Sequence, residues 1–212
     1  MTQISNANYG QLSALMYKVI YERLLRSERL LRLLVCYDNS KSPYTDKFYN
    51  AKIKAIGGVN KLVYQNQDVD KCRDVHIYPQ PHLPDIKIDH EAYIALSLNG
   101  GNDITRDAGQ KNVNLLVDIV VPDTKNVIIS DNEECYFAYR MYDIAHEVTE
   151  LLNYQITDTR AYNKISLVGF QRRDYSDNFH GIQIIFNFML NSNLSGTPAL
   201  PDFENRMVVR PH

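Results

Sequence analysis

The stretch GFQRRDYSDNFHGIQIIFNFML, residues 169–190, decides how the chain folds. Its second half alternates. Ile182, Ile184, Phe186, Phe188 and Leu190 fall on one side, Gln183, Ile185, Asn187 and Met189 on the other. A period of two is the signature of a strand with one buried face. The first half is polar: Gln171, Arg172, Arg173, Asp174, Ser176, Asp177, Asn178 and His180. It lies between that strand and a second apolar run at 164–170. Asp174, Ser176, Asp177, Asn178 and Gly181 are turn formers, so residues 172–180 are expected to form a hairpin loop. Arg172, Arg173, Asp174 and Asp177 are its candidate partner contacts. Ile185 and Met189 leave the second face partly apolar, as in a sheet with one face under a helix and the other partly covered in an assembly.

The first face needs a cover, and residues 132–153 supply one. Phe137, Met141, Ile144, Ala145, Val148, Leu151 and Leu152 make one apolar stripe at helical spacing. Asp131 or Asn132 can cap this helix, and Glu133 and Glu134 favour its first turn. About 20 helical residues span about 30 Å, enough to cross a small sheet. Upstream, residues 93–98 alternate as a strand. Val113, Leu115, Val117, Ile119 and Val121 mark another, ended by Pro122. The polar run NGGNDITRDAGQK between them reads as the loop of an antiparallel pair.

The remaining segments are read outward from this frame. Residues 10–36 form an N-terminal helix with Leu12, Leu15, Met16 and Val19, then Leu24, Leu30, Leu31 and Leu34, on its apolar stripe; Ser27 and Glu28 mark a break or a second start. Residues 38–74 are irregular, an insertion in which 53–56 and 61–64 pair as a short hairpin across Gly57 and Gly58. Pro79, Pro81 and Pro84 make residues 76–91 an extended loop. The tail, 191–212, carries Leu194, Leu200, Phe203, Met207, Val208 and Val209 among Gly196, Pro198, Pro201 and Pro211. It cannot build a core alone and must dock on this domain or a neighbour. The fold class is therefore α+β. A small, mainly antiparallel β-sheet packs against a long amphipathic helix and an N-terminal helix. Residues 1–190 form one domain, and 191–212 an extended C-terminal arm.

Composition excludes several classes. The net charge of −2 gives no basic excess for a dedicated nucleic-acid binder. Cys36, Cys72 and Cys135 are odd in number and far apart, which fits a reducing compartment better than a disulfide framework. The start MTQISNANYG lacks the apolar region of a signal peptide, and no run approaches the roughly 20 apolar residues of a membrane span. Tyrosine, at 15 residues, is a type enriched at interfaces.

The sharpest chemical cluster is His76, His82, Asp85, Asp89, His90 and Glu91. Imidazole with carboxylate suits zinc or iron, so a small metal-dependent hydrolase is the alternative reading. Its setting is a proline-rich loop, and its spacing matches no metal motif. His146, Glu147 and Glu150 resemble HExxH without the second histidine, and read as a solvated helix face. Gly57-Gly58 and Gly100-Gly101 match no phosphate loop. Ser195 sits in LSGTP and not in a nucleophile elbow. Cys135 opens the long helix, where it reads as a small buried residue. Arg23, Arg26, Arg29 and Arg32 step by three and wind around their helix, with Glu22 and Glu28 as partners. A DNA-facing helix is the weaker third reading.

The segments YPQPHLPDI leading into YIALSL, VNLLVDIVVPD, RMYDIAHEVTELLN and LVGFQRRDYSDNFHGIQIIFNFML together resemble the tail terminator (tail-completion, or neck) proteins of tailed bacteriophages, over about residues 75–190. The resemblance implies a small antiparallel sheet on helices and a subunit that assembles with itself into a ring, commonly a hexamer. It implies a virion protein of the tail or neck, assembled in the host cytoplasm, that caps the tail tube and joins it to the head-side connector near the DNA channel. It implies no catalytic residue, no cofactor, no required metal and no membrane. Arg172, Arg173, Asp174 and Asp177, with Leu200, Phe203, Met207 and Val209 of the arm, are then the expected partner contacts. Residues 38–74 and the tail depart from the compact form of that family.

Overall fold

The computed structural model describes residues 7–35, 46–65, 74–81, 91–105, 110–126, 128–129, 135–137, 139–153, 156–158, 163–176 and 178–191. The central sheet has five strands in the order β1-β2-β3-β9-β8. These are β1 (Ile77–Tyr78), β2 (Tyr93–Thr105), β3 (Gln110–Pro122), β8 (Ser166–Ser176) and β9 (Phe179–Asn191). All pairings are antiparallel except β1 with β2. The α+β class expected from the alternation is what the chain adopts.

One face of this sheet is the main core. Ile94 and Leu96 of β2, Val113, Leu115, Val117, Ile119 and Val121 of β3, and Ile182, Ile184, Phe186 and Phe188 of β9 are all buried on it. Helix α4 (Arg140–Leu152) lies against it with Met141, Ile144, Val148 and Leu152 buried. The helical stripe and the strand face therefore cover each other, as their periods require. The N-terminal helices join the same core: α1 (Ala7–Tyr17), α2 (Glu28–Val35) and α3 (Asp46–Ile56).

The N-terminal segment is not one continuous helix. After α1 the chain widens into a π-helical turn (Lys18–Arg23), tightens into a 3-10 turn (Leu24–Arg26) and becomes extended at Ser27. Ser27 Oγ accepts the Leu30 N–H at 3.2 Å, so it caps α2. Glu28 follows in the first turn, where a carboxylate is favoured.

Several expected boundaries are corrected. Residues 53–56 and 61–64 form no hairpin. The first closes α3, and the second ends a 3-10 turn (Val59–Leu62) and enters an extended stretch. Gly57 and Gly58 have φ of 92° and 105° and end the helix, their N–H groups both donating to the Ile53 carbonyl. Tyr49, Ile53 and Ile56 have helical spacing. A Gly pair fits a helix stop as well as a hairpin turn, and the stripe decides between them. The NGGNDITRDAGQK run is mostly strand: β2 continues to Thr105 and β3 begins at Gln110, with register shifts after Gly100. The long helix starts at Arg140 and not near residue 132. Residues Cys135–Phe137 are instead strand β5, paired with β4 (Ile128–Ile129). Cys135 therefore opens no helix, and Phe137 is not on the helical stripe. Within the proline-rich segment, Ile77 and Tyr78 form a buried strand and not a loop. The arm, residues 192–212, lies outside the described residues. A second small sheet pairs β6 (Ile156–Asp158) with β7 (Asn163–Lys164).

The start of α4 is capped from a distance. Its flanking residue Tyr139 makes no side-chain cap. Asn126 does this work with two bonds: its backbone carbonyl accepts the Arg140 N–H at 2.8 Å, and its Oδ1 accepts the Met141 N–H at 3.1 Å.

Candidate interaction site

Residues 172–176 and 179–180 are strand and not loop. Arg172 pairs with Ile182, Arg173 with Gly181 and Asp174 with His180, so β8 and β9 run almost to the turn. The polar composition suggested a loop, but an edge strand can carry polar side chains because its flank meets water. Strand alternation places Arg172 on the α4 side and Arg173 on the opposite side. Both are exposed. Asp174 gathers its neighbours: Arg172 Nε lies 3.4 Å from its Oδ1 and His180 Nδ1 2.8 Å away. His180 Nε2 lies 3.2 Å from Asp123 Oδ2. Of the expected contacts, Arg172 and Asp174 thus meet, while Arg173 faces away from them. Asp177, Leu200, Phe203, Met207 and Val209 lie outside the described residues.

Behind Arg173 the sheet carries a second, smaller core. Val75, Tyr78, Tyr93, Ala95, Val120 and Phe179 are buried there, with Tyr64 and Tyr175 packed against them. Tyr175 donates to Asp118 at 2.7 Å and Gln183 Nε2 donates to the same carboxylate oxygen at 2.8 Å. Burial first, then the bond to Asp118, raises the Tyr175 phenol above its ordinary value, against the pull of Arg173. Burial likewise raises Tyr93. Gly181 is required at its place. A Cβ there would lie 2.5 Å from the Ile119 carbonyl oxygen and 2.5 Å from the Tyr175 ring. The tyrosine ring covers the strand glycine.

The feature that the sequence pattern did not expose is the outer flank of β8. Leu167, Val168 and Phe170 are 39%, 63% and 71% exposed. Tyr139 and Tyr142, in edge-to-face contact at the head of α4, are exposed too. These five are the exposed large apolar side chains among the described residues, and Tyr142, Leu167 and Phe170 of them border one groove. Between them runs a groove of about 260 Å³, lined by Tyr142, Ala145, His146, Leu167, Phe170 and Ile184 among others. Asn153 Oδ1 closes one end by accepting the Leu167 N–H at 3.0 Å. β8 is the last strand of the sheet among the described residues, so its outer backbone faces no further strand.

The chemical candidates are dispersed. His76 is buried on the approach to β1, with its Nδ1 2.7 Å from the Ala92 carbonyl oxygen. Glu91 lies 3.8 Å from Arg140. His82, Asp85, Asp89 and His90 lie outside the described residues, and no group of three or more metal-ligating side chains occurs among those described. On α4, Glu147 is paired with Arg29 at 2.9 Å, while His146 turns to the groove and Glu150 is exposed. The pair HExxE therefore splits between a salt bridge and solvent. Asp143, beside Arg29 and His146, has its carboxyl raised by burial, against the pull of Arg29 and then of His146. Of the four N-terminal arginines, Arg32 is buried. It pairs with Glu28 and lies over the Tyr49 ring at 4.7 Å.

No helix among the described residues is long and apolar enough to cross a membrane. A protein-family model described as YomW matches residues 27–188, well over half the chain. That span takes in α2, α4, the whole of β8 and nearly all of β9. No curated protein and no solved structure matches the chain.

Proposed function

The chain belongs to the YomW family, a phage-derived family of the Bacillus prophage type, and from that premise we propose that it is a structural virion protein of a tailed phage. In this reading it assembles with copies of itself into a ring. The ring caps the tail tube and joins it to the head-side connector, and the chain catalyses no reaction. The observation that carries the reading is the exposure of Leu167, Val168 and Phe170 on β8, the last strand of the sheet among the described residues, with Tyr142 across the groove. A monomer gains nothing from an apolar sheet edge in water, whereas a subunit of an assembly buries it. The sheet resembles the expected one in its antiparallel pairing and in the long helix across one face.

The test is direct. Purified protein is sized by light scattering over a concentration series and mixed with tail tubes, and capped ends are counted by electron microscopy. A discrete multimer and capped tubes are expected. A chain that neither self-associates nor caps tubes overturns the reading.

A further inference from the structure

We propose that the groove between α4 and the outer edge of β8 takes the C-terminal segment, residues 192–212, of a neighbouring copy of this chain. The inference rests on the ring-forming reading above and names what covers its exposed edge.

The acceptor is specified by its chemistry. It offers Leu167 and Phe170 on the flank of a strand, an apolar channel beside Tyr142, and an outer backbone edge beyond the Leu167 amide that Asn153 already holds. A Cβ at Gly169 would meet nothing within 4 Å, so the middle of this edge is sterically open. Such a site fits an extended peptide that pairs along the edge and sets alternate apolar side chains into the groove.

The donor is specified by the same sequence. Residues 192–212 carry Phe203, Met207, Val208 and Val209 after the last proline before the end region, Pro201. The run RMVVR joins two β-branched residues to flanking charges, a composition suited to an edge-pairing strand.

The exit geometry favours the neighbour over the same chain. β8 begins at Ser166, opposite Asn187, whereas β9 runs on to Asn191, which pairs with Gln110 on the other side. The chain thus leaves the sheet beyond the start of β8, heading away from Leu167 and Phe170. To reach its own groove it would have to reverse and cross the end of β8. A neighbour is reached without reversal, since about 20 extended residues span up to about 70 Å. Donor and acceptor are then different surfaces of one molecule. Such a heterologous contact repeats head to tail and closes into a ring when its rotation permits.

The test uses two full-length variants. Leu167→Asp with Phe170→Asp spoils the acceptor, and Phe203→Asp with Met207→Asp spoils the donor; neither acceptor position belongs to a core cluster. Sedimentation velocity reads association. The parent is expected to associate, each variant alone to do so at least tenfold more weakly, and an equimolar mixture to recover a one-to-one complex of the two. A donor-spoiled chain that associates like the parent overturns the proposal. So does a mixture that recovers nothing, and so does a parent that stays monomeric throughout. Tube capping separates this from the wider reading. Complementation without capping keeps the docking and removes the tail role. Capping at parental level by the acceptor-spoiled chain removes the docking and keeps the tail role.

Discussion

The two edges of the central sheet are finished in opposite ways. The β1 edge is two residues long and fully buried. Val63 bridges to Ile77 beside it, Tyr64 N–H donates to the Ile77 carbonyl at 2.9 Å, and His76 N–H donates to the Leu62 carbonyl at 2.8 Å. Tyr78 stacks on Tyr64 and meets Tyr93 edge to face. The β8 edge is eleven residues long and carries Leu167, Val168 and Phe170 into solvent. Among the described residues the chain closes one edge with its own segment 62–64 and leaves the other apolar.

That contrast can be broken from the folding side first. Phe186→Ala and Ile144→Ala, at the meeting of β9 and α4, should each cost about 2–5 kcal/mol in urea unfolding. Near-parental midpoints would mean that this face is not the core. Arg140→Ala should cost about 3–5 kcal/mol. Its guanidinium is fully buried and donates to the Leu33 and Leu34 carbonyls at 2.6 and 2.9 Å, satisfying the end of α2 from the start of α4. Gly181→Ala should cost about 1–3 kcal/mol by driving a methyl into the Ile119 carbonyl and the Tyr175 ring. Adding Tyr175→Ala should recover part of that loss, which a thermal melt of the double variant reads.

Two weaker effects sharpen the contrast. The Tyr93 and Tyr175 phenols are raised in the folded chain above the ordinary value of 10.0, mainly by burial. Above about pH 10 the unfolded chain therefore releases phenolic protons that the folded chain retains, and stability falls as pH rises further. A denaturation series across this range should show the fall, and Tyr93→Phe with Tyr175→Phe should flatten it. On the open edge, Phe170→Asp should change stability by no more than about 0.5 kcal/mol. The same substitution should weaken self-association.

What the sequence made legible follows from periodicity. The alternation in 182–190 and 113–121, and the stripe through Met141, Ile144, Val148 and Leu152, correctly announced which faces meet. Both signals arise from one-sided burial, which sequence records directly. What it hid was set by local competition. Residues 53–64 carry a Gly pair that suits two kinds of chain reversal. Residues 172–176 are polar because an edge strand borders water, so their composition mimics a loop. The Asn126 cap and the Arg140 bonds join residues far apart in sequence, and no short window contains both partners. The candidate interaction site is only partly legible in the sequence. Arg172 and Arg173 were singled out as contacts, yet strand geometry puts them on opposite sides. Leu167, Val168 and Phe170 announce only a strand, because apolar residues of an open edge look like those of a closed one until the strand order is known.

We infer that the β8 edge is reserved for assembly while the β1 edge is closed within the chain. Backbone amide hydrogen exchange, followed at dilute and at assembling concentrations of the same protein, compares the two edges in one measurement. Those amides of residues 168–174 that point away from β9 should exchange readily when dilute and gain at least tenfold protection on assembly, while those of residues 76–78 should stay protected throughout. Equal exchange of those outward amides at both concentrations, in a sample shown to have assembled, would contradict it.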